Sequence, residues 1–380
     1  MKILFVHNSL PEYRIPWFKH MSNIEDVVFL ITNPALAKKI YKVDGEEYIN
    51  DELNCVFLSE GLHGIDQLIK YLRDNRFEFY ELPPVDSLGE LIKSYIIIFF
   101  AKKNKGEIGY FWEKWEAPKK YQTIKMKMKN FLIGLAAKSV YRKADVIFSP
   151  GTKSAEYFKK NGVEGNKICL IPDSSEIPLC KEEDIRKKYG ISQEVTLFLY
   201  FGRIIKQKGL DVLIRAFEKV NADFGKDVFL MVAGDGPFKK ECEELSKCVG
   251  LNNILFCGAI EPRERLNYFK QCDVFVHPGT FFEGRTDVWG LTINEAINCG
   301  KIIIATDAVG SAYDLVNENN GFFVKAGDVE SLSAAMIKCV CNDEIKETAI
   351  LENQRLYEKY NCKNMAQVYI EQVRKLKKDD

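Results

Sequence analysis

Short apolar segments alternate with longer segments of helical periodicity throughout this 380-residue chain. The alternation is most regular in the second half, where the apolar segments predict strands over 195–201, 228–233, 253–257, 273–277 and 301–305. The segments between them predict helices over 210–221, 238–249, 262–271 and 291–299. Strands that alternate with helices are typical of parallel sheets, whose strands are buried on both faces and read as continuous apolar runs. The pattern therefore predicts an α/β fold.

The first half shows a less regular version of the same pattern. Its predicted strands are 2–7, 27–31, 54–58 and 145–149, and its predicted helices are 65–75, 86–103 and 119–143. A polar stretch with prolines at 172 and 178 separates the two series and is expected to be a linker. We therefore predict two doubly wound Rossmann-like domains, 1–172 and 173–360, that face each other across a cleft. Residues 361–380 are expected to form a helix that packs back on the N-terminal domain.

Composition argues against several classes of protein. The 54 basic and 54 acidic side chains give a formal charge of zero, so no nucleic-acid partner is predicted. The eleven cysteines lack the spacing of a zinc site, and no secretory leader is evident, which predicts a reduced, cytoplasmic chain without a bound metal. The most apolar later stretch, 95–101, is far shorter than the roughly 20 residues needed to span a bilayer.

The first candidate ligand-binding segment is FGRIIKQKGL at 201–210, where a strand end leads through a basic loop to a helix start. Gly202 lets a ligand approach the backbone, and Arg203 and Lys208 can converge on one diphosphate. Arginine offers a planar fork for phosphate oxygens, and lysine offers a compact point charge. The alternative interpretation is a solvated basic turn.

The second candidate segment is DVWGLTINE at 287–295, in which Asp287 and Glu295 flank the start of a predicted helix. Helix N-termini bind anions through unpaired amides, so the N–H groups of Gly290 and Leu291 are expected to meet a phosphate. Glu295, about one turn into the helix, is placed to accept hydrogen bonds from ribose hydroxyls, and Asp287 to hold sugar hydroxyls. The alternative interpretation is an acidic N-cap followed by a solvated glutamate.

A third segment, Gly234-Asp235-Gly236-Pro237, follows a predicted strand. It lacks the third glycine of the dinucleotide-binding fingerprint, and Pro237 suits a tight turn that enters a helix. The segment is therefore interpreted mainly as a turn, and a dehydrogenase is not favoured.

In this order, the three segments resemble those of the retaining glycosyltransferases of family 4, which have the GT-B fold. The similarity covers roughly 195–305, with a glycine–arginine strand end, a lysine five residues on, a G-x-G-P turn and a paired-acid helix start followed by Glu-Ala and Cys-Gly. Further matches are 144–147 with Pro150-Gly151, and 321–324. The resemblance implies an N-terminal acceptor-binding domain and a C-terminal nucleotide-sugar-binding domain.

The resemblance also implies a role for each matching position. Arg203 and Lys208 would neutralise the donor diphosphate, Glu295 would hold the ribose, and backbone near Ala259 would meet the base. The implied catalytic residues are Arg203, Lys208, Asp287 and Glu295. The implied nucleotide-sugar-binding residues are Gly202, Arg203, Lys208, Gly234, Ala259, Ile260, Trp289, Gly290, Leu291 and Glu295. Fixed cations and helix amides would replace a divalent metal, so no metal and no cofactor are expected, and the chain contains no Asp-x-Asp sequence.

Three departures from the family pattern leave alternatives open. The first acid of the pair is usually glutamate, whereas the matching spacing falls on Asp287; we favour Asp287 over Glu283, which would require a four-residue insertion. The glycine-rich loop after the first strand is replaced by residues 7–14. The histidine often found at the sugar end of the N-terminal domain has no counterpart, and either Glu113 or the loop 81–84 is expected to serve there.

A basic segment in the N-terminal half, 118–144, contains eight lysines or arginines and no acidic residue, and Trp112 and Trp115 lie just upstream. Its apolar face is formed by Leu132, Ile133, Leu135 and Ala136. The segment is interpreted either as a helix that rests on an anionic membrane or as an ordinary helix with a solvated basic face.

The predicted function is retaining hexosyl transfer from a nucleotide sugar, with a UDP-sugar favoured, to a saccharide or lipid-linked saccharide in the assembly of a cell-surface polysaccharide. The predicted location is the cytoplasm, at the inner face of the membrane. A non-catalytic homologue that binds a nucleotide or a glycan is the main alternative. A GT-B phosphorylase is a weaker one, because it would need a lysine-bound pyridoxal phosphate. His20 and His63 are expected at the surface, and His277 is expected to be structural.

Overall fold

The computed structural model describes residues 1–36, 53–342 and 344–377, and these form two compact units. Unit 1 contains Met1–Lys114, Ile124–Ser175 and Asn361–Asp380. Unit 2 contains Trp115–Thr123 and Glu176–Tyr360. The short segment 115–123, which the sequence analysis placed in the N-terminal domain, therefore groups with unit 2.

Unit 1 is built on a seven-stranded parallel sheet with the order β3-β2-β1-β4-β5-β6-β7. Its strands are β1 (Lys2–His7), β2 (Asp26–Ile31), β3 (Cys55–Phe57), β4 (Phe79–Leu82), β5 (Glu107–Phe111), β6 (Val146–Pro150) and β7 (Ile168–Ile171). The strand order reverses between β1 and β4, as in doubly wound folds.

Helices cover both faces of this sheet. They are α1 (Ile15–Ser22), α2 (Gly61–Asp74), α3 (Leu88–Asn104), α4 (Ile124–Tyr141), α5 (Gly151–Lys160) and a C-terminal helix, Cys362–Leu376. Leu4 and Val6 of β1 belong to the core on the side of α2 to α5. Phe5, between them, belongs to the opposite core, with α1 and the C-terminal helix. Alternate residues of a strand thus serve two separate cores.

Three strands of this sheet, the central β4 and β5 and the edge strand β7, were not predicted from the sequence. All three are short, and β4 contains Glu81, which was expected in a loop but lies in the strand with its side chain fully buried. The Tyr369 hydroxyl donates a hydrogen bond of 2.7 Å to Glu81, and burial raises the pKa of this carboxyl well above its ordinary value. A charged residue in a four-residue segment hides a strand from pattern analysis.

The predicted helix 119–143 is interrupted in the structure. A 3₁₀ turn, Lys119–Tyr121, ends at Gln122, whose backbone is extended (φ −91°, ψ 130°), and α4 begins only at Ile124. The helices α1 and α5 were not predicted from the sequence either.

Unit 2 contains a six-stranded parallel sheet with the order β10-β9-β8-β11-β12-β13. The strands are β8 (Thr196–Phe201), β9 (Val228–Ala233), β10 (Ile254–Gly258), β11 (Val274–His277), β12 (Ile302–Thr306) and β13 (Gly321–Val324). The order reverses between β8 and β11, so the loops after these two strands diverge and leave space for a ligand at the carboxyl edge. The predicted α/β class with two parallel, doubly wound sheets is confirmed.

Eight helices are described in unit 2, and the sequence predicted four of them, those that follow strands β8 to β11. The eight are α6 (Ile185–Lys188), α7 (Leu210–Phe224), α8 (Lys239–Cys248), α9 (Arg265–Gln271), α10 (Thr292–Asn298), α11 (Ala312–Leu315), α12 (Val329–Cys341) and α13 (Glu344–Lys359). Since α10 begins at Thr292, Gly290 and Leu291 lie just before the helix, within a residue of the expected start.

Candidate functional site

The candidate site lies at the carboxyl edge of the unit 2 sheet, where β8 and β11 end side by side. A 3₁₀ turn, Lys206–Lys208, follows β8 and leads into α7. Thr280, from the loop after β11, fixes this turn because its N–H donates to the Gln207 carbonyl at 2.8 Å and its hydroxyl donates to the Lys206 carbonyl at 3.1 Å. The loops on the two sides of the strand-order reversal are thus joined, and Lys208 is held at their junction.

The centre of the site is a cluster of Lys208, Asp287 and His277. The Lys208 ammonium forms an ion pair with the Asp287 carboxylate. His277 Nε2 lies 2.8 Å from the same carboxylate oxygen and 3.5 Å from Lys208 Nζ. The Thr292 hydroxyl lies 3.3 Å from the other ring nitrogen of His277. The cluster therefore joins four parts of unit 2: the end of β11, the start of α10, the turn after β8 and the loop before α10.

The charges in this cluster are set by burial and by the lysine. Burial opposes ionisation of Asp287, but Lys208 and His277 outweigh it and hold the pKa of the Asp287 carboxyl well below its ordinary range. Burial, together with the Lys208 charge, lowers the pKa of His277, although Asp287 acts in the opposite direction. The cluster is consequently an ammonium–carboxylate pair with a neutral imidazole beside it.

Arg203 supplies a charge that this cluster does not neutralise. Its side chain is exposed, and its carbonyl accepts a hydrogen bond of 2.9 Å from the Tyr200 hydroxyl, which fixes the backbone at the strand end. In the described part of the chain, the Arg203 guanidinium makes no ion pair. It is therefore available to an incoming anion.

Glu295 is buried in α10, with 2% of its surface exposed. Arg265, at the start of α9, forms an ion pair with it at 3.0 Å. The Arg265 guanidinium also lies over the ring of Phe201, the last residue of β8, at 5.2 Å from the ring centre. Arg265 thus links the strand end to Glu295. Arg265 was not predicted from the sequence, because nothing in Glu-Pro-Arg-Glu-Arg at 261–265 distinguishes it from a surface arginine.

Two glycines allow the backbone of the site to close. Gly234 follows β9, and a side chain there would collide with the carbonyl oxygen of Gly202. Gly290 has φ +77°, and a Cβ there would lie 3.0 Å from the His277 ring and 3.2 Å from the Asp287 carboxylate. Larger residues at either position would separate the loops that form the site.

The remaining predicted residues lie in different environments. Ala259 and Ile260 directly follow β10, whose Gly258 carbonyl accepts a 2.7 Å hydrogen bond from the Gly234 N–H. Leu291 precedes α10. The Trp289 side chain is 2% exposed, and its indole N–H donates to the Asn294 side chain at 3.0 Å. Its indole packs in the core of unit 2.

The structure places the two competing acids differently. Asp287 pairs with Lys208, whereas Glu283 is exposed in a turn with φ +49° and makes no ion pair with any described residue.

In unit 1, Glu113 forms an ion pair with the buried Arg14, which also pairs with Asp173 at 2.6 Å. His277 was expected to be structural, yet it lies in contact with Asp287. Only its position at a strand end could have indicated this from the sequence.

Within residues 1–36, 53–342 and 344–377, no group of three or more His, Cys, Asp or Glu side chains is arranged to hold a metal ion. Over the same residues, every helix is too short or too polar to cross a membrane.

Comparison with known proteins gives this site a chemical context. The family model described as Glycosyl transferases group 1 matches residues 181–356, which lie within unit 2. The Lys208–Asp287–His277 cluster, Arg203 and Glu295 all lie within the matched residues.

Two relatives and one solved structure extend the comparison. The chain is 25% identical to an uncharacterized glycosyltransferase of Methanocaldococcus jannaschii over 347 residues, or 90% of this chain and 78% of the relative. It is 31% identical over 167 residues to the GDP-mannose-dependent monoacylated alpha-(1-6)-phosphatidylinositol monomannoside mannosyltransferase of Corynebacterium glutamicum, an alignment that spans only 43% of each protein. The crystal structure of Anabaena HepE in complex with UDP and glucose superposes with a TM-score of 0.74 at 18% identity, covering 99% of this chain and all of HepE. The last similarity establishes the GT-B type of fold.

Proposed function

We propose that this protein is a retaining, metal-independent glycosyltransferase of family 4 that moves a hexose from a nucleotide-diphosphate donor to a saccharide or lipid-linked saccharide. The observation that carries the proposal is the pair of cations, Arg203 and Lys208, at the strand-order reversal of unit 2. Ligands of doubly wound sheets bind at this position, and a diphosphate is the part of a sugar donor that needs two cations.

The geometry suggests how these cations would act. As the bond from the anomeric carbon to the donor oxygen breaks, negative charge builds up on the departing diphosphate. The exposed Arg203 fork would bind two phosphate oxygens. An ammonium has three N–H donors, and the pairing with Asp287 occupies one of them, so Lys208 would be oriented by Asp287 and would still donate to phosphate. Both contacts strengthen as the charge develops, which is the requirement for catalysis rather than tighter binding alone.

The acidic residue of α10 would serve the nucleoside end of the donor. Glu295 is held by Arg265, which fixes the orientation of a carboxylate that would accept hydrogen bonds from ribose hydroxyls. The amides of Gly290 and Leu291 and the backbone at Ala259 and Ile260 would add contacts to phosphate and base. In this proposal Asp287 positions Lys208 and borders the sugar, and neutral His277 keeps Asp287 in place.

The comparisons suggest which donors and acceptors to test. HepE was crystallised with UDP and glucose, which supports a UDP-sugar, while the Corynebacterium relative is GDP-mannose-dependent. The name of that relative also describes a lipid-linked acceptor. We propose the cytoplasmic face of a membrane as the setting, in cell-surface polysaccharide assembly. All eleven cysteines are free thiols, as a reducing compartment requires.

A donor panel tests the proposal. Purified protein would be incubated with UDP- and GDP-sugars, with and without a chelator, and release of nucleoside diphosphate would be measured. We expect turnover of one donor that the chelator does not inhibit, and a product whose anomeric configuration, read by NMR, matches that of the donor. Thermal stabilisation by a nucleotide without any turnover would instead identify the non-catalytic homologue.

A further inference from the structure

Large apolar side chains are exposed on two neighbouring helices of unit 1. In the described part of the chain, seventeen large apolar side chains are exposed, and nine of them belong to α3 and α4. These nine define the α3–α4 surface: Leu88, Ile92, Tyr95, Phe99, Ile124, Met128, Phe131, Leu132 and Leu135. Phe99 is 64% exposed and Phe131 is 69% exposed, so most of each side chain lies outside the core.

The spacing of these residues shows that each helix has a second apolar face. On α3 they follow each other at steps of four, three and four residues, which places all of them on one side of the helix. Ile97 and Ala101 lie on the opposite side and are fully buried against the sheet. Helix α3 therefore packs on the sheet through other residues, and its exposed apolar residues take no part in that contact.

Helix α4 repeats this arrangement. Ile124, Met128, Phe131 and Leu135 follow the same steps, while Val140 lies on the opposite, buried side. Of the face proposed from the sequence, only Leu132 and Leu135 belong to the exposed side. Ile133 and Ala136 pack against the core instead.

The two exposed faces form one surface. The Tyr95 hydroxyl of α3 donates a hydrogen bond of 2.8 Å to the Ser139 hydroxyl of α4, so the helices lie side by side. They connect β4 to β5 and β5 to β6, which are consecutive strands of one parallel sheet, so right-handed crossovers place them on the same side of it. Their buried faces share one core. Their apolar exposed faces consequently point outward together.

The exposed charges of these two helices have one sign. Lys125, Lys127 and Lys129 are exposed on α4, and the helical period places Lys127 on one side of the apolar stripe and the other two on the opposite side. The helix has no acidic residue. On α3 the one acidic residue is Glu90, which is buried and paired with Lys93 at 2.8 Å. An apolar stripe with lysines on both edges matches an anionic lipid surface and would repel a second copy of itself.

We propose that the α3–α4 surface inserts into an anionic lipid bilayer, with its apolar side chains among the acyl chains and its lysines at the headgroups. The inference deepens the proposed function and rests on it, since a lipid-linked acceptor would be reached from such a bilayer. Binding to lipid, however, is measured without turnover.

Vesicle sedimentation of the full chain tests this inference. We expect binding to vesicles of equimolar phosphatidylcholine and phosphatidylglycerol, reduced by high salt, and much weaker binding to phosphatidylcholine alone. The double variant Phe99→Ser/Phe131→Ser should lower the partition coefficient at least about tenfold, because burial of one phenylalanine is already worth about that factor. The control variant Leu62→Ser/Leu351→Ser, which also alters two exposed apolar residues, should bind like wild type.

The outcomes separate this inference from the proposed function. A triple variant, Lys125→Gln/Lys127→Gln/Lys129→Gln, should weaken binding to the anionic vesicles at least about tenfold and bind phosphatidylcholine like wild type. Equal binding by all variants, or self-association of wild type without vesicle binding, would overturn the inference. Donor turnover without vesicle binding leaves the proposed function intact, and vesicle binding without transferase activity refutes only that function. Circular dichroism would confirm that each variant is folded.

Discussion

Replacing Asp287 by asparagine removes the charge that holds Lys208 while preserving the size of the side chain. In the structure Asp287 pairs with Lys208 and lies 2.8 Å from His277. The variant leaves an ammonium beside a neutral imidazole and a neutral amide. Because Asp287 favours the charged form of His277, its removal cannot make the imidazole compensate by taking up a proton near neutral pH. We therefore expect the loss of the pair to appear fully in stability.

The size of the expected loss of stability follows from the burial of the Lys208–Asp287 pair. Removing one partner of a fully buried ion pair costs about 3–5 kcal/mol. The side chains of Lys208 and Asp287 are 20% and 17% exposed, so water screens part of the remaining charge, and we expect a loss of about 2–3 kcal/mol in the free energy of unfolding. Glu243→Gln, which removes a more exposed pair with Lys239 at 3.7 Å, should leave stability unchanged within error.

A double-mutant cycle measures the interaction itself. Urea unfolding of wild type, Asp287→Asn, Lys208→Met and the double variant should give a coupling free energy of at least about 1 kcal/mol. In addition, UDP should raise the melting temperature of Asp287→Asn more than that of wild type, because a phosphate would replace the missing carboxylate beside Lys208. Additive effects within about 0.5 kcal/mol would show that the pair has no energetic role, and the reasoning would be refuted.

Three further predictions concern other parts of the chain. Arg203→Ala and Lys208→Ala should each lower turnover at least about tenfold, or about 1.4 kcal/mol of barrier, in an assay where the exposed Lys240→Ala stays at wild-type level; normal activity of both variants would contradict the diphosphate role. Arg265→Ala leaves the buried Glu295 without this ion pair, so we expect a loss of about 2–3 kcal/mol in urea unfolding, and an unchanged midpoint would show that the ion pair is not needed. Since the folded state raises the pKa of Glu81, its protonated form stabilises the protein at low pH, and this contribution is lost as pH rises above about 4.3 toward the folded pKa. Glu81→Gln should therefore gain stability relative to wild type with rising pH, and parallel pH profiles would contradict the assignment.

Much of unit 2 was accessible from the sequence. The strand Val228–Ala233 was predicted to the residue, and the other strands of that series that were predicted were placed within one residue. Strands buried on both faces are continuous apolar runs, and in this half of the chain their regular alternation with segments of helical period distinguishes them. The loops that hold Lys208 and Asp287 follow from the same pattern, since they occupy strand ends and helix starts. In unit 2, the local sequence pattern was sufficient to predict a strand wherever both faces of that strand are buried.

Contacts between distant segments were decided by the tertiary structure. His277 meets Asp287, and Arg265 meets Glu295, because neighbouring strands and helices bring their ends together; neither side chain has a local signal. The helix α4 gives the clearest example, since its periodicity shows two apolar faces but not which of them is covered. Burial depends on the sheet that packs against one face, and that sheet is assembled from strands far away in the chain. The sequence alone therefore located the basic helix and two residues of its outward apolar face, Leu132 and Leu135, whereas only the fold revealed the rest of that face.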